Sequence, residues 1–264
     1  MVPVSIVIIA KNEADIAAGC IQKAMQITDD IVLIVNEMAD QPENSSRSAH
    51  RVYEETWGGY GNNKNKGIAA ASYDWILSVD ADEVPDDALI RSLHGLKWDD
   101  RAVVYDIKFA SYFGSKRIRF GSWGRDHHVR LFNRTRVKWS EVMVHETLEL
   151  PENTQVKRIS GRLHHYSVTD MNEYNKKNAY YAWLSAKKYN RAGKKANLVK
   201  MYFSPAFGFF KNYFIYLGFL DGRAGWNIAK SNFSHTRLKY FYLNQMKNSQ
   251  HTKQGVKESF AVEY

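Results

Sequence analysis

The sequence predicts an α/β chain: a mostly parallel sheet, an antiparallel extension and a C-terminal helical segment. Three observations carry this. Continuous apolar runs alternate with stretches of helical spacing from Val2 to Glu83. From about 102 to 165 the runs become short and alternating, as in antiparallel strands. After Asp170 the texture is helical and dense in Tyr, Phe and Trp.

The elements follow in order. Residues 2–9, VPVSIVII, are rich in Val and Ile without polar alternation, the pattern of a strand buried on both faces. Helical spacing runs from about Ala14 to Ile27, and Asp29-Asp30 turns the chain into a second buried strand, Ile31–Val35. A polar loop (36–48) leads to a short strand around Val52. Gly58, Gly59 and Gly61 open a segment whose helix covers Asn63–Ser72, and Trp75–Val79 is a further buried strand ending in Asp80-Ala81-Asp82-Glu83. Val103–Phe109, Val129–Phe132 and Leu163–Tyr166 read as the antiparallel additions. A helix from Asp170 to about Arg191, an aromatic helix and a third around 226–248 complete the chain. Gly193-Lys194-Lys195 marks the expected division into a catalytic domain, 1–192, and a helical segment, 193–264.

Composition narrows the function classes. At 264 residues the chain holds one generous domain or a domain with an appendage, and 44% hydrophobic residues provide for a core. A single cysteine, Cys20, excludes a disulfide scaffold and a Cys-based zinc site and fits a reducing compartment. The first residues lack a basic start and a small-residue cleavage pattern, and their apolar run is too short to span a bilayer. Lys and Arg number 37 against 28 Asp and Glu, a net charge of +9, which points to an anionic partner: nucleic acid, lipid or a phosphorylated substrate. No RNA-binding aromatic signature, zinc knuckle or long Lys/Arg block is present, which speaks against nucleic acid.

Asp80-Ala81-Asp82 is the sharpest chemical feature. Ligands of parallel sheets bind at the carboxyl ends of strands, where these carboxylates lie. Two hard oxygen ligands on a turn suit Mg²⁺ or Mn²⁺ held against a diphosphate; a surface acidic turn is the plainer alternative. Ala10-Lys11-Asn12-Glu13, at the end of the first strand, offers amides to a nucleotide base or an ordinary helix cap. Gly59-Tyr60-Gly61-Asn62-Asn63-Lys64-Asn65 joins a Gly-rich turn to a helix start, an arrangement able to hold a pyrophosphate.

Taken together, A-K-N-E, then W-G-G-Y-G-N-N-K-N-K-G (57–67), then W-I-L-S-V-D-A-D-E (75–83) resemble the family 2 inverting glycosyltransferases of GT-A (Rossmann-like) fold. The resemblance is closest to the subgroup of lipopolysaccharide inner-core β-1,4-glucosyltransferases, with R-L-F-N-R (130–134), V-H-E (144–146) and F-L-D-G-R-A-G (219–225) in agreement. It implies a uridine site lined by Ala10, Asn12 and Glu13, with Lys64 and Asn65 facing nucleotide or diphosphate. It also implies a metal-bound UDP-sugar at Asp80, Ala81 and Asp82. Arg130 would contact diphosphate or an acceptor phosphate, with a surface salt bridge the alternative. Glu146 is the expected base that takes the acceptor proton, as an inverting transfer needs, with a surface Glu on a strand edge the alternative; Asp106 or Glu141 would be the base in its place. His145 is a metal ligand, an acceptor contact or a packed residue. The resemblance also implies a late His as third metal ligand, and the H-H-Y-S placement assigns it to His165; His164, adjacent on a strand, would point to the opposite face, so at most one of the two serves. Where the family carries V-D-x-x-S-x-D, this chain has Val35-Asn36-Glu37-Met38-Ala39-Asp40, so Asn36 would contact base or ribose and Asp40 would stand in for the later acid.

The stretch YFSPAFGFFKNYFIYLGFL (202–220) carries Lys211 and Asn212 at its centre and Pro205 near its start, which favours an interfacial helix over a spanning one. Lys187, Lys188, Arg191, Lys194, Lys195 and Lys200 would meet anionic lipid or a phosphorylated lipid acceptor; packing on the catalytic domain or in a dimer would use the same aromatics. The expected protein is a transferase that uses a divalent cation, Mn²⁺ or Mg²⁺. It would move a hexose, such as glucose, from a UDP-sugar to a lipopolysaccharide core or related glycolipid, at the cytoplasmic face of the bacterial plasma membrane. A sugar nucleotidyltransferase would need a Gly-rich basic loop after the first strand, which is missing here. A non-catalytic basic membrane- or glycan-binding module of the same fold is the alternative, separated from the enzyme by metal-dependent UDP-sugar binding or hydrolysis.

Overall fold

A computed structural model of the chain describes residues 2–11, 14–36, 50–141, 146–168 and 170–251. These form two compact units, the first lying within residues 1–113 and 123–167, the second within 114–122 and 168–264.

The first unit is built on a sheet. Its elements are β1 (Val4–Lys11), α1 (Ala14–Ala24), β2 (Ile31–Asn36), β3 (Arg51–Glu54), α2 (Tyr60–Ala70), β4 (Trp75–Asp80), β5 (Glu83–Pro85), α3 (Asp87–His94) and β6 (Val103–Phe113). After β7 (Lys116–Arg117), a short strand of the second unit, come β8 (His127–Asn133), β9 (Lys138–Trp139), β10 (Leu148–Glu149) and β11 (Gln155–Val168). Strand order is β3-β2-β1-β4-β8-β6-β11-β5. The β3-β2-β1-β4 half is parallel, and β4-β8, β8-β6 and β11-β5 are antiparallel. This is the mixed sheet expected from the sequence.

Continuous apolar strands arise because both sheet faces are covered. On one face Val4, Ile6, Ile8 and Ala10 of β1 pack with Ala17 and Cys20 of α1 and Leu89 and Leu93 of α3. On the other, Val7 and Ile9 meet Ile68 of α2, Phe132 and Trp139. Asp30 ties the base of this half together. Its buried carboxylate accepts from the Ser5 hydroxyl, from the Ser72 amide at 2.7 Å and from Arg51. Burial alone would raise its pKa, but the hydrogen bonds from Ser5 and Ser72 and the Arg51 charge outweigh burial and hold the carboxyl below its ordinary value. Asp86 caps α3 by accepting from Leu89 N–H at 2.7 Å, and Gly161 (φ 99°) lets β11 pass close, since a Cβ there would lie 2.1 Å from Leu89 N.

The register brings β1 and β4 to the same edge. Ile9 pairs with Asp80, and the Ala81 amide donates to Ile9 carbonyl at 3.0 Å. Thus the D-A-D-E turn is fixed at the carboxyl end of the two central strands.

The second unit holds α4 (Met171–Arg191), α5 (Leu198–Phe210), a π turn (Lys211–Ile215) and α6 (Gly222–His251). Gly193, the expected division point, is the left-handed residue just past α4. The F-L-D-G-R-A-G segment is a clamp here: buried Asp221 accepts from the backbone amides of Arg119 and Phe120, the latter at 2.8 Å. A Cβ at Gly225 would lie 1.8 Å from Gly218 carbonyl, so glycine alone allows that crossing. Among the described residues no helix is long and apolar enough to cross a membrane.

Candidate active site

The β4 edge collects charged groups from five elements. Asp80 ends β4, Asp82 follows on the turn, and Glu83 starts β5, whose pairing with β11 sets His165 opposite Glu83. Arg130 reaches in from β8 and Lys64 from α2. Lys64 can enter because Gly61 lets the first turn of α2 approach Ser140, the residue just past β9. A Cβ at Gly61 would sit 2.0 Å from Ser140 carbonyl. Asn65 fixes the same approach: its side-chain amide donates to Trp139 carbonyl at 2.8 Å and its oxygen accepts from Trp139 N–H at 3.0 Å.

The result is an ion-pair network. Lys64 Nζ lies 3.2 Å from Asp80 Oδ1, 3.0 Å from Glu146 Oε1 and 4.4 Å from the Trp139 ring centroid. Arg130 Nη2 is 3.1 Å from Asp80 Oδ2 and also binds Glu83. His165 Nε2 lies 3.3 Å from Asp82 Oδ2, with its ring edge-on to Phe109. Lys64 and Glu83 are each 1% exposed and Arg130 is 7% exposed, while Asp80 and Asp82 are half-buried. The network therefore presents its two aspartates outward and keeps its cations within.

The electrostatics follow from burial and these contacts. Burial would raise Asp80, but Lys64 and Arg130 overcome it and hold the carboxyl well below the usual range. Burial pushes Glu83 up to about 7, with the Arg130 guanidinium pulling the other way and the Asp80 charge adding. Arg130 stays charged: its burial is outweighed by Glu83 and Asp80. His165 is raised in spite of burial by its hydrogen bond to Asp82 and by the Asp82 charge. Four carboxyl groups, those of Asp80, Asp82, Glu83 and Glu146, meet two fixed cations, Lys64 and Arg130. The site is acidic at its outer side.

Of the residues singled out from sequence, Lys64, Asp80, Asp82, Arg130, Glu146 and His165 come together here. Ala10 and Ala81 are buried at the ends of β1 and β4, Ala81 acting through its backbone amide. Asn65 serves Trp139. His164 turns to the opposite side of β11, within 2.9 Å of Tyr112 hydroxyl. Asp106 is tied to His127 at 2.7 Å and to Arg158, and Glu141 is exposed. Asn12, Glu13, Asp40 and His145 lie outside the described residues, as does the side chain of Asn36. Glu83 and Trp139 complete the site without having been assigned a role from sequence. Glu83 had a signal, its place directly after D-A-D; Trp139 had none.

Residues 5–158, more than half of the chain, match the family described as Glycosyl transferase family 2. The chain belongs to this family. The match spans Lys64, the D-A-D-E turn, Arg130 and Glu146, while His165 lies just past its end. This glycosyltransferase is 25% identical over 237 residues to the uncharacterized glycosyltransferase RT0209 of Rickettsia typhi, covering 85% of this chain and 81% of the relative. It is 26% identical over 220 residues to the lipopolysaccharide core biosynthesis glycosyltransferase LpsC of Rhizobium meliloti, covering 80% and 81%. Among solved structures, residues 1–349 of S. aureus TarS superpose with a TM-score of 0.44 at 10% identity, over 96% of this chain and 93% of that one. The mannosyltransferase PcManGT of Pyrobaculum calidifontis, in complex with GDP-Man and Mn²⁺, gives 0.45 at 12%, over 96% and 88%. The glycosyltransferase described here has the mostly parallel sheet with antiparallel additions that its sequence predicts.

Proposed function

We propose that this glycosyltransferase transfers a hexosyl group from a UDP-sugar, with a divalent cation, to a hydroxyl of a lipopolysaccharide core or related glycolipid, inverting the anomeric centre. The observation that carries the reading is the Asp80–Asp82 pair at the β4 edge, joined through Lys64 to Glu146. The acceptor class rests on the 26% identity to LpsC, and the donor class on the family resemblance of the N-terminal segments.

The residues fit a Mn²⁺ or Mg²⁺ ion chemically. Asp82 and His165 stand 3.3 Å apart at the half-buried rim, and Asp80 Oδ1 is a buried oxygen without a hydrogen-bond donor, though ion-paired to Lys64. The surplus of carboxyl groups over fixed cations is of the sign that a divalent cation offsets. Among the described residues no three His, Cys, Asp or Glu side chains are already gathered as ligands. Asp80, Asp82 and His165 would hold the ion, which supplies charge neutralisation to the departing diphosphate.

The chain's own groups do the rest. The acceptor oxygen attacks the anomeric carbon, the bond from that carbon to the UDP oxygen breaks, and the hydroxyl proton passes to Glu146. Lys64 positions that carboxylate by binding Oε1 at 3.0 Å, and Trp139 under Lys64 keeps water from the pair. Arg130 holds Asp80 in place for the diphosphate. Asn12, Glu13 and Asn36 are assigned to the nucleoside. Catalysis belongs to the part before residue 193, and peripheral association with the anionic inner face of the plasma membrane to residues 193–264.

The test is release of nucleotide from UDP-, GDP- and TDP-sugars, with and without Mn²⁺, by wild type and Asp82→Ala, together with transfer to a lipopolysaccharide core acceptor. Metal-dependent turnover of a UDP-sugar that Asp82→Ala abolishes supports the proposal. Turnover of GDP- or TDP-sugars alone, or equal rates in EDTA, overturns the donor or the metal assignment.

A further inference from the structure

We infer that the outward face of α5 and the π turn is a monotopic docking surface for an anionic lipid bilayer; as a partner for the glycolipid-directed enzyme it rests on the function proposed above. Within α5, Val199, Phe203, Phe207 and Phe210 recur at intervals of three and four, one side of a helix. They are 62%, 72%, 61% and 51% exposed, and Phe214 and Leu217 extend the exposed apolar series into the following turn. The other side of the segment is occupied: Pro205 and Asn212 are buried, and Phe209 and Tyr213 pack edge-on against Trp226 of α6. An exposed row of this size and aromatic content is rare on a monomer surface and marks a contact site.

Charge selects the occupant. Residues 174–251 contain fourteen Lys or Arg and one acid, Asp221, which is buried in its clamp. The remainder of the chain holds 23 Lys or Arg against 27 acids, so the whole basic excess lies in the stretch of chain that contains the apolar row. Lys200 and Lys211 are eleven residues apart, three helical turns, which sets them in one line beside the row, and both are exposed. Phenylalanines that sink to the acyl boundary, with lysines at their margin for phosphate, match an anionic membrane interface. A second copy of this chain would instead face the same acid-free surface with its own positive charge.

The experiment is co-sedimentation of the full chain, without any nucleotide sugar, with phosphatidylcholine vesicles and with vesicles containing about one-third phosphatidylglycerol. Wild type is expected to bind the anionic vesicles, and Phe203→Glu/Phe207→Glu to bind them at least about tenfold less tightly with an unchanged far-ultraviolet spectrum and Tm. Lys194→Gln/Lys195→Gln/Lys200→Gln, which leaves the apolar row intact, is expected to weaken binding selectively to anionic vesicles. The inference is overturned if wild type stays in the supernatant with anionic vesicles or if the phenylalanine variant binds as wild type does. It is also overturned if ultracentrifugation shows a dimer that the phenylalanine variant splits while vesicles remain unbound. Donor hydrolysis in solution, measured on the same variants, reads the transferase proposal separately, because no vesicle is involved.

Discussion

Replacing Lys64 with methionine keeps most of the side-chain volume and removes the charge shared by Asp80 and Glu146. At about 3 Å and an effective dielectric of roughly 20, each contact corresponds to about 5 kcal/mol of Coulomb attraction before desolvation. Burying the ammonium, 1% exposed, costs several kcal/mol, so the intact pair contributes far less than that sum. Breaking such a pair is another matter, because the carboxylates stay behind: a loss of roughly 3–5 kcal/mol is usual. Here the Asp80 and Glu146 side chains keep 29% and 15% of their exposure, and Arg130 still neutralises Asp80, which puts the loss at the lower end, about 3 kcal/mol. Urea unfolding at neutral pH of Lys64→Met, Glu146→Gln and the double variant measures it. If Lys64 acts on Glu146 as described, the double variant loses at least ~1 kcal/mol less than the sum of the singles. Additivity within about 0.5 kcal/mol would refute the coupling, and with it the assignment of Lys64 as the group that positions the base.

Asp30→Asn removes the negative charge and one of the two acceptor oxygens that serve Ser5, the Ser72 amide and Arg51, and is expected to cost about 2–3 kcal/mol near neutral pH. Because the folded carboxyl lies below its ordinary value, its contribution is present above about pH 4 and fades as pH falls through the folded pKa; the two stability curves, followed by denaturant titration, should converge in acid. Gly61→Ala puts a methyl 2.0 Å from Ser140 carbonyl, so α2 must shift; we expect about 2–3 kcal/mol of destabilisation and a loss of transfer larger than the change in Tm accounts for. Glu146→Gln is expected to keep UDP binding while slowing transfer by roughly two to four orders of magnitude, read from kcat at saturating donor.

The parts legible in the sequence are those governed by local pattern. β1 and β4 read as buried strands because their apolar side chains serve both sheet faces, and the D-A-D turn at their carboxyl edge followed directly. Boundaries were less legible. The apolar periodicity carried helix α1 to Ile27, but the helix ends at Ala24 and Ile27 is buried from a turn, so its burial does not require a helix. Helix α2 starts at Tyr60 rather than Asn63, because Asn63 accepts from the Gly58 amide at 3.1 Å and organises the turn before it. β11 begins at Gln155, in a polar, exposed stretch that lacks the strand signal of burial. Within the site, Lys64 read as a diphosphate ligand. Its enclosure between Asp80, Glu146 and Trp139 depends on residues up to 82 positions away, which no local spacing encodes.

The proposed function requires the Asp80–Asp82 edge to hold a nucleoside diphosphate through a divalent cation. Calorimetry of UDP binding in Mn²⁺ and in EDTA, on wild type and Asp82→Ala, tests it without requiring the acceptor. Binding is expected in Mn²⁺, lost in EDTA and weakened by at least about tenfold in Asp82→Ala, whose Tm stays within a few degrees of wild type. Equal UDP affinity in EDTA, or an Asp82→Ala protein that binds UDP–Mn²⁺ as wild type does, would contradict it.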